Sequence, residues 1–500
     1  MRASTPLSRD YSSQTLHPLQ AKNQRRASPR ERAVLVLLLL GFAVLALMCR
    51  NPFMGQWDSF DYVTKAVRHQ VSDLAFGRPL FLGILRVAWE GAHLLGVGID
   101  HAFQVAQSIV WGFGICGLVC FYFCVKWVGG VRLGLWGVAW LGTTPMYLAY
   151  SGMVMTEVPS LTCLLAAVAL LLHWERSRKL SQLVGSALLF AAGIHIREQL
   201  ITAAALFPLI IFLDRGLTGR RRVSAVLVHT GIYTLVVLAM VAFLVRMDPD
   251  FWGRVQGWAA VLPIRTHGLG KQFLYLLAFA IVNGGVSLVG MLLTWRKWAK
   301  VAPVRALVSG MALLPLLTLL PNADLRIQPR YELLAVPAFI LAALVGLRMM
   351  QGEERPPTRK ILVGVVLVGH LAFFAGGMAA LVRFNRLSLE RKARVETLLV
   401  IAPQNAGFVG GAYTPILDFY QQSGIRPGWE VIRSGWEWNR ESLPERINRE
   451  LMANRRIYYL SDAGVWDYLR EEQADVEALR SKFRFIRVDR GMERIEWDYR

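Results

Sequence analysis

Two carboxylates stand three residues apart in the segment 57–62, which reads WDSFDY. On a helix, residues three apart lie on the same face, so the segment predicts a helix that presents Asp58 and Asp61 together. A carboxylate placed beside a hydroxyl group can take its proton and turn the oxygen into a nucleophile. The aromatic residues around the pair are typical of helices seated at a membrane interface. A solvated turn with an aromatic belt is the alternative interpretation.

A third carboxylate, Glu157, is the only charged residue between Tyr150 and Pro159. It stands at the predicted start of a helix, where the partial positive charge of the helix N-terminus favours an anion. It is therefore a candidate for orienting a substrate or stabilising charge during a reaction. A lone glutamate that caps a helix is the simpler alternative.

Arginines that suit a phosphate ligand occur near predicted helix ends, at Arg197, Arg326 and Arg330. A guanidinium group binds phosphate through two parallel hydrogen bonds and neutralises charge that develops on a leaving group. Each arginine alone could instead anchor a lipid headgroup. Together, a base and several phosphate-binding cations fit the transfer of a sugar from a lipid phosphate to a hydroxyl group.

The elements that must position these groups are membrane-spanning helices. Hydrophobic residues make up 54% of the 500 residues and charged residues only 18%, against roughly 25% charged in soluble domains. Apolar runs such as 33–48 and 223–245 are long enough to cross a bilayer. This composition argues against a soluble enzyme, a disordered protein and a β-barrel. We predict about eleven spans, at residues 33–49, 103–125, 132–149, 158–173, 182–195, 199–213, 223–245, 272–294, 303–320, 333–350 and 361–382.

Charge alternates between the segments that join these spans. One set of segments holds 24 basic and 6 acidic residues, and the other set holds 13 basic and 11 acidic residues. By the positive-inside rule, the first set is cytoplasmic. The net charge of +21 then reflects membrane topology and does not indicate a nucleic-acid partner. The carboxylates and arginines above are predicted on the outer side, in a protein of a bacterial inner membrane.

Three regions follow from this pattern. Residues 1–32 are basic and rich in Ser and Pro, and are predicted to form a disordered cytoplasmic tail. Residues 33–384 form the transmembrane domain, whose outer loop 50–102 includes an interfacial amphipathic helix. Residues 385–500 are predicted to form a small periplasmic α/β domain, with strands at 397–402 and 456–460 and a helix at 441–452. The fold class is a polytopic α-helical membrane protein with a C-terminal extracytoplasmic α/β domain.

The order of these motifs over about residues 33–382 resembles the GT-C membrane glycosyltransferases. It is most similar to the branch of protein O-mannosyltransferases and lipid A aminoarabinose transferases. That branch has an acidic first outer loop, usually Asp-Glu-x-x-Tyr, and residues 58–62 here read Asp-Ser-Phe-Asp-Tyr. It also has a proline at the start of the next helix, an acidic residue in the second outer loop and an Arg-Tyr pair before a late span. These features match Arg78-Pro79, Glu157 and Arg330-Tyr331.

The resemblance implies a GT-C-like fold and an inverting transfer of a hexose or pentose from a polyprenyl-phosphate donor. The acceptor would be a hydroxyl group of a lipid, a glycan or a protein at the outer face. Asp58 would be the general base, with Asp61 as the open alternative, and Glu157 would orient the acceptor or stabilise developing charge. The residues that would bind the donor phosphate are Arg78, Arg197, Arg326, Arg330 and Tyr331.

The resemblance leaves metal dependence open, because only some GT-C enzymes bind a divalent cation. A cation would take oxygen ligands, which Asp58, Asp61 and Glu157 could supply with His69 nearby. No other cofactor is implied.

Two other classes compete with a glycosyltransferase. A transporter or flippase of lipid-linked sugars places its polar residues near the middle of the bilayer, whereas the carboxylates here cluster at the predicted outer edge. A structural membrane scaffold with an outward interaction domain leaves Glu157 and Arg330-Tyr331 unexplained. The sequence leaves the sugar, the polyprenol, the acceptor and the oligomeric state open.

Overall fold

The computed structural model describes a mainly helical chain that ends in a small sheet. It describes residues 27–498 apart from 54–56, 73–77, 215, 254, 257–268, 320–328, 351–355, 410–412, 433–441, 461–476 and 490.

The helices follow one another through short connections. The first half of the chain forms α1 (Pro29–Met48), α2 (Trp57–Val67), α3 (Pro79–Leu94), α4 (Ala102–Gly129), α5 (Val131–Gly142), α6 (Pro145–Ser151), α7 (Glu157–Ser177), α8 (Leu180–Ile196) and α9 (Leu206–Leu213). The second half forms α10 (Gly219–Met247), α11 (Leu269–Gly284), α12 (Val286–Leu293), α13 (Trp295–Trp298), α14 (Ala302–Leu319), α15 (Val336–Met349), α16 (Pro356–Ile401), α17 (Thr414–Gln422) and α18 (Leu443–Met452). Short 3₁₀ helices lie at Ile99–His101, Glu198–Ala205 and Pro329–Ala335.

Six helical stretches in the described part of the chain are long and apolar enough to cross a membrane. They are Pro29–Met48, Ile99–Gly129, Glu157–Ser177, Gly219–Met247, Glu332–Met349 and Val363–Ile401. Leu180–Ile196 and Glu198–Leu213 are apolar but shorter. The chain is a polytopic helical membrane protein, as predicted, whereas the predicted count of about eleven spans is not confirmed. The first helix begins at Pro29, four residues before the predicted span.

Several predicted spans are divided into two helices. The span predicted at 132–149 separates into α5 and α6 just before Pro145, which has no backbone N–H and suits the first position of a new helix. The span predicted at 272–294 separates at Gly285, whose φ of +47° is readily available only to glycine. Hydropathy alone does not detect such breaks, because the residues on both sides remain apolar.

The chain divides into two compact units. Unit 1 comprises Met1–Met48, Trp111–Ser151 and Thr156–Ala379, and unit 2 comprises Cys49–Val110, Gly152–Met155 and Ala380–Arg500. In unit 1, α7 packs against α8, α8 against α10, and α12 against α15. The C-terminal segment shares unit 2 with the predicted outer loop 50–102.

Unit 2 contains a five-stranded sheet in the described residues. Its strands are β1 (Gly407–Val409), β2 (Glu430–Ile432), β3 (Ile457–Leu460), β4 (Phe483–Asp489) and β5 (Met492–Trp497). They lie in the order β2-β1-β3-β5-β4, with β1 parallel to β2 and β3, and β5 antiparallel to β3 and β4. Buried apolar side chains such as Ile432, Ile447 and Ile457 form its core. The predicted C-terminal α/β layer is confirmed.

The strand predicted at 397–402 is wrong. Residues 397–401 form the end of α16, and residue 402 follows directly after the helix. A short apolar run fits a buried strand and a buried helix equally well. Ion pairs one helical turn apart, Arg386–Glu390 at 3.9 Å and Lys392–Glu396 at 3.6 Å, extend along α16 and favour its continuation. The strand at 456–460 and the helix at 441–452 are confirmed by β3 and by α18.

A network of buried polar side chains joins four separate segments of unit 2. The Asn51 side chain donates to Asn385 Oδ1 at 3.1 Å and accepts from the Ser388 hydroxyl at 2.8 Å. Gln107 Nε2 donates to the backbone carbonyls of Asn51, at 2.8 Å, and of Gly152. Each of these buried groups is paired, so the network fixes the start of the first loop against α4 and α16.

We predict that replacing Gln107 by alanine lowers the free energy of unfolding by about 1–3 kcal/mol, because buried carbonyl oxygens lose this donor. Gln104 lies on the same helix one turn earlier and is exposed. Gln104→Ala is therefore the matched control, with an expected change below about 0.5 kcal/mol. Thermal unfolding of the purified protein in detergent measures both, and equal shifts would contradict a stabilising network.

Candidate functional site

The predicted site residues fall into two groups, one in each unit. Unit 1 holds Glu157, Arg197 and Arg330, and unit 2 holds Asp58, Asp61 and Arg78. Arg326 lies outside the described residues, and of Tyr331 the structure describes only the backbone, in the 3₁₀ helix Pro329–Ala335.

The group in unit 1 is assembled by three separate elements. Glu157 is the first residue of α7, where the helix N-terminus favours its negative charge. Arg197 has extended backbone angles between α8 and the 3₁₀ helix Glu198–Ala205. Arg330 belongs to the 3₁₀ helix Pro329–Ala335, which packs against α7 and α14. Each ionic side chain therefore sits at the end of a helix or in a 3₁₀ helix.

These three side chains form one buried ionic cluster. Arg197 Nη1 lies 2.9 Å from Glu157 Oε1, and Arg330 Nε lies 3.3 Å from the same oxygen. Arg197 Nη1 also donates to the Thr156 hydroxyl at 2.9 Å. The side chains of Glu157, Arg197 and Arg330 are 0%, 1% and 10% exposed. We call Glu157, Arg197 and Arg330 the arginine–glutamate cluster.

The arginine–glutamate cluster holds two positive charges and one negative charge. Buried charges are tolerated in proteins when they are paired, and Glu157 pairs with both guanidinium groups. Guanidinium groups also suit a phosphate ligand, because arginine forks bind its oxygens in pairs. The same three residues also hold α7 and the 3₁₀ helices together, so the cluster contributes to folding as well.

The group in unit 2 is carried by α2. Asp58 and Asp61 are half-buried, whereas the side chains between and after them, Ser59, Phe60 and Tyr62, are at most 3% exposed. The buried side of the helix thus fixes its rotation and leaves both carboxylates at the other side. The helix and the shared face of Asp58 and Asp61 agree with the sequence prediction. Ser59 Oγ also donates to Met155 Sδ at 3.5 Å.

Arg78 occupies a strained position immediately before α3. Its φ of +47° lies in the left-handed region, which costs a non-glycine residue roughly 1–2 kcal/mol. Its guanidinium lies over the Tyr62 ring, 5.2 Å from the centroid, and the residue is 6% exposed. Strained backbone positions cluster at functional sites in proteins, and a site role for Arg78 stays a prediction.

Comparisons with known proteins identify the fold of this arrangement. No family model and no curated relative matches the sequence. The chain is similar to the structure of ArnT from Cupriavidus metallidurans bound to undecaprenyl phosphate, with a TM-score of 0.60 and 13% identity over 94% of this chain and 98% of that chain. It is similar to the archaeal oligosaccharyltransferase AglB from Archaeoglobus fulgidus in complex with an inhibitory peptide and a dolichol-phosphate, with a TM-score of 0.54 and 10% identity over 94% and 75%. This protein has the GT-C fold.

Within this GT-C fold, a metal site is not assembled by the residues that the structure describes. No group of three or more His, Cys, Asp and Glu side chains among them could hold a metal ion. His69 pairs instead with Glu90, its Nε2 lying 3.1 Å from Oε1. Asp58 and Asp61 still offer the oxygen ligands that a divalent cation takes, so a cation at Asp58, Asp61 and Glu157 stays a prediction.

Three polar residues of the GT-C fold were not predicted as site residues. Thr156 accepts from Arg197, and its position directly before a first-turn glutamate was the available signal. Glu198 and Glu332 are 7% and 2% exposed and each follows a cluster arginine within two residues. A buried acid next to a buried arginine indicates local charge compensation. The sequence shows that Glu198 and Glu332 are close to the cluster arginines, but it does not show that they are buried.

Proposed function

We propose that this protein is an integral membrane glycosyltransferase, which moves a sugar from a polyprenyl-phosphate donor to a hydroxyl group of a lipid, a glycan or a protein. The arginine–glutamate cluster carries the proposal. It lies in a chain with the GT-C fold, and two structures with that fold contain undecaprenyl phosphate and a dolichol-phosphate. A buried pair of guanidinium groups suits the phosphate that such a donor presents.

Arg197 and Arg330 bind the donor phosphate in this proposal. They neutralise the charge that accumulates on the phosphate as the sugar leaves, which lowers the barrier most in a water-excluded site. Glu157 contacts both arginines and so keeps their forks in place, besides its predicted role toward the acceptor. Arg78, Arg326 and Tyr331 are further donor contacts in the proposal.

Asp58 acts as the general base, with Asp61 on the same face as the alternative. The carboxylate accepts the proton of the acceptor hydroxyl, and the oxygen attacks the anomeric carbon. The bond from that carbon to the phosphate oxygen breaks, and the electron pair leaves with the polyprenyl phosphate. Attack opposite the leaving group inverts the anomeric configuration. We place the reaction at the periplasmic face, with the N-terminus in the cytoplasm, on the strength of the alternating loop charge.

The donor site is tested by binding of undecaprenyl phosphate to the purified protein. Arg330→Gln is expected to weaken the affinity about 10- to 100-fold, since a hydrogen bond to a charged group contributes about 1.5–3 kcal/mol. Arg178→Gln is the control, because Arg178 also pairs with a carboxylate, that of Asp214, but lies in a predicted cytoplasmic segment.

Undecaprenol, which lacks the phosphate, separates the charge from the lipid tail. Its binding is expected to be the same for the wild type and for Arg330→Gln. Loss of affinity for both lipids in Arg330→Gln, or an equal loss in Arg178→Gln, contradicts a phosphate site at the cluster. A lipid-linked sugar transporter would also bind undecaprenyl phosphate, so sugar transfer needs a measurement of its own.

A further inference from the structure

A chain of aromatic rings runs through unit 2 from α2 to the C-terminal sheet. Phe60 of α2 and Phe419 of α17 lie 5.6 Å apart between ring centroids, edge to face. Phe419 contacts Tyr420 at 5.8 Å, Tyr420 contacts Trp429 at 6.3 Å, and Trp429 contacts Phe408 of β1 at 4.5 Å. We call these five residues the aromatic chain.

Four of the five residues of the aromatic chain are buried, and Trp429 is hydrogen-bonded as well. Phe60, Phe419, Trp429 and Phe408 are at most 3% exposed, and Trp429 Nε1 donates to the carbonyl of Pro403 at 3.1 Å. Burial raises the pKa of the Tyr420 hydroxyl above its ordinary value, so the ring stays neutral.

Phe60 lies between Asp58 and Asp61 in the sequence of α2. The packing of its ring therefore determines where both carboxylates lie. Its ring stacks on Phe103 at 4.7 Å and meets Phe53 at 5.2 Å. Of the three rings described in contact with Phe60, that of Phe419 belongs to the C-terminal segment. Removing the Phe419 ring leaves one side of Phe60 without a packing partner and allows α2 to rotate about its axis.

We infer that the C-terminal α/β segment positions the carboxylates of α2, and that Phe419 is the positioning residue through which it acts. The inference rests on the proposed function, in which Asp58 is the base, and it assigns to this segment a part in catalysis without contact with the substrate. Asn51 and its partners Asn385 and Ser388 form a second tie to the C-terminal segment, a few residues before α2.

The first test measures backbone hydrogen exchange of the full-length protein in lipid nanodiscs. Phe419→Leu is expected to speed amide exchange in α2 about tenfold or more, because a local packing contact that opposes opening is lost, while exchange in α7 stays unchanged. Phe483→Leu is the matched control. Phe483 is 5% exposed and packs against Trp497, within the sheet but off the aromatic chain. Unchanged exchange of α2 in Phe419→Leu, or equal acceleration in Phe483→Leu, overturns the inference.

The second test measures sugar transfer and donor binding in the same variants. Phe419→Leu is expected to lower kcat about tenfold or more, since small misplacements of a catalytic group cost this much, with undecaprenyl phosphate affinity within about twofold of the wild type. The double variant Phe60→Leu/Phe419→Leu is expected to transfer sugar about as slowly as Phe60→Leu alone, because Phe60→Leu already removes the contact with Phe419. Multiplicative losses, or a fall in donor affinity that accounts for the lost transfer, overturn the inference. Faster α2 exchange in a protein that transfers no sugar supports the positioning and refutes the proposed function instead.

Discussion

Replacing Asp58 by asparagine is expected to lower the rate of sugar transfer at least about a hundredfold, because general-base catalysis contributes roughly 10²- to 10⁴-fold. Asparagine has nearly the same shape but cannot accept a proton. Asp58 is half-buried on the less buried side of α2, so the substitution removes no deeply buried charge. Protein level and membrane insertion are therefore expected to match the wild type.

The measurement compares envelope glycolipids, glycans and glycoproteins by mass spectrometry, in cells with the wild type, each variant and no protein. Asp61→Asn is the competing variant, since Asp61 lies one turn along the same face and is the alternative base. Loss of product in Asp61→Asn alone assigns the base to Asp61. Full transfer by both variants means that neither aspartate of α2 is the base. Identical envelopes with and without the protein contradict a transferase, and a lipid-linked sugar that merely changes leaflet identifies a transporter.

Glu157→Gln is expected to lower the free energy of unfolding by about 3–5 kcal/mol, the usual effect of removing one partner of a buried ion pair. The variant leaves Arg197 and Arg330 with like charges facing a neutral amide in a buried place. Thermal and denaturant unfolding in detergent measure the change. Glu396→Gln is the control, because Glu396 is 61% exposed and pairs with Lys392 across one helical turn. An exposed pair of this kind contributes below about 0.5 kcal/mol.

A double variant separates the ionic effect from a loss of shape. Glu157→Gln/Arg330→Gln removes one of the two opposing cations, so it is expected to be more stable than Glu157→Gln alone. A double variant in which the two losses add would mean that the cluster is held by packing and not by charge. A Glu157→Gln variant as stable as Glu396→Gln would contradict the buried cluster itself.

The sequence predicted the residues of the cluster but not their contact. Glu157, Arg197 and Arg330 were each placed near the end of a predicted span, which charge alternation reveals. Arg197 and Arg330 stand 40 and 173 residues beyond Glu157, and no local pattern reports a distance across such separations. The helix at 57–67 was predictable, because its spacing is local and its apolar residues are buried on one side.

The errors have the same physical origin. The strand predicted at 397–402 came from a short apolar run, which α16 uses to prolong a helix. The contact between the start of the first loop and α16 was not predictable from the sequence, because Asn51 and Asn385 are 334 residues apart. Hydrophobic periodicity describes which face of an element is buried, and it leaves open which distant element covers that face.

The composition of unit 2 has a consequence for biosynthesis. Residues 49–110 leave the ribosome long before Asn385 and Phe419, the partners that complete their core. At about 5–20 residues per second, the delay between Asn51 and Asn385 is about 20–70 s. During that interval Phe60 and the polar groups of Asn51 lack their later partners. A chaperone that binds exposed apolar side chains therefore has its main substrate in this loop at that stage.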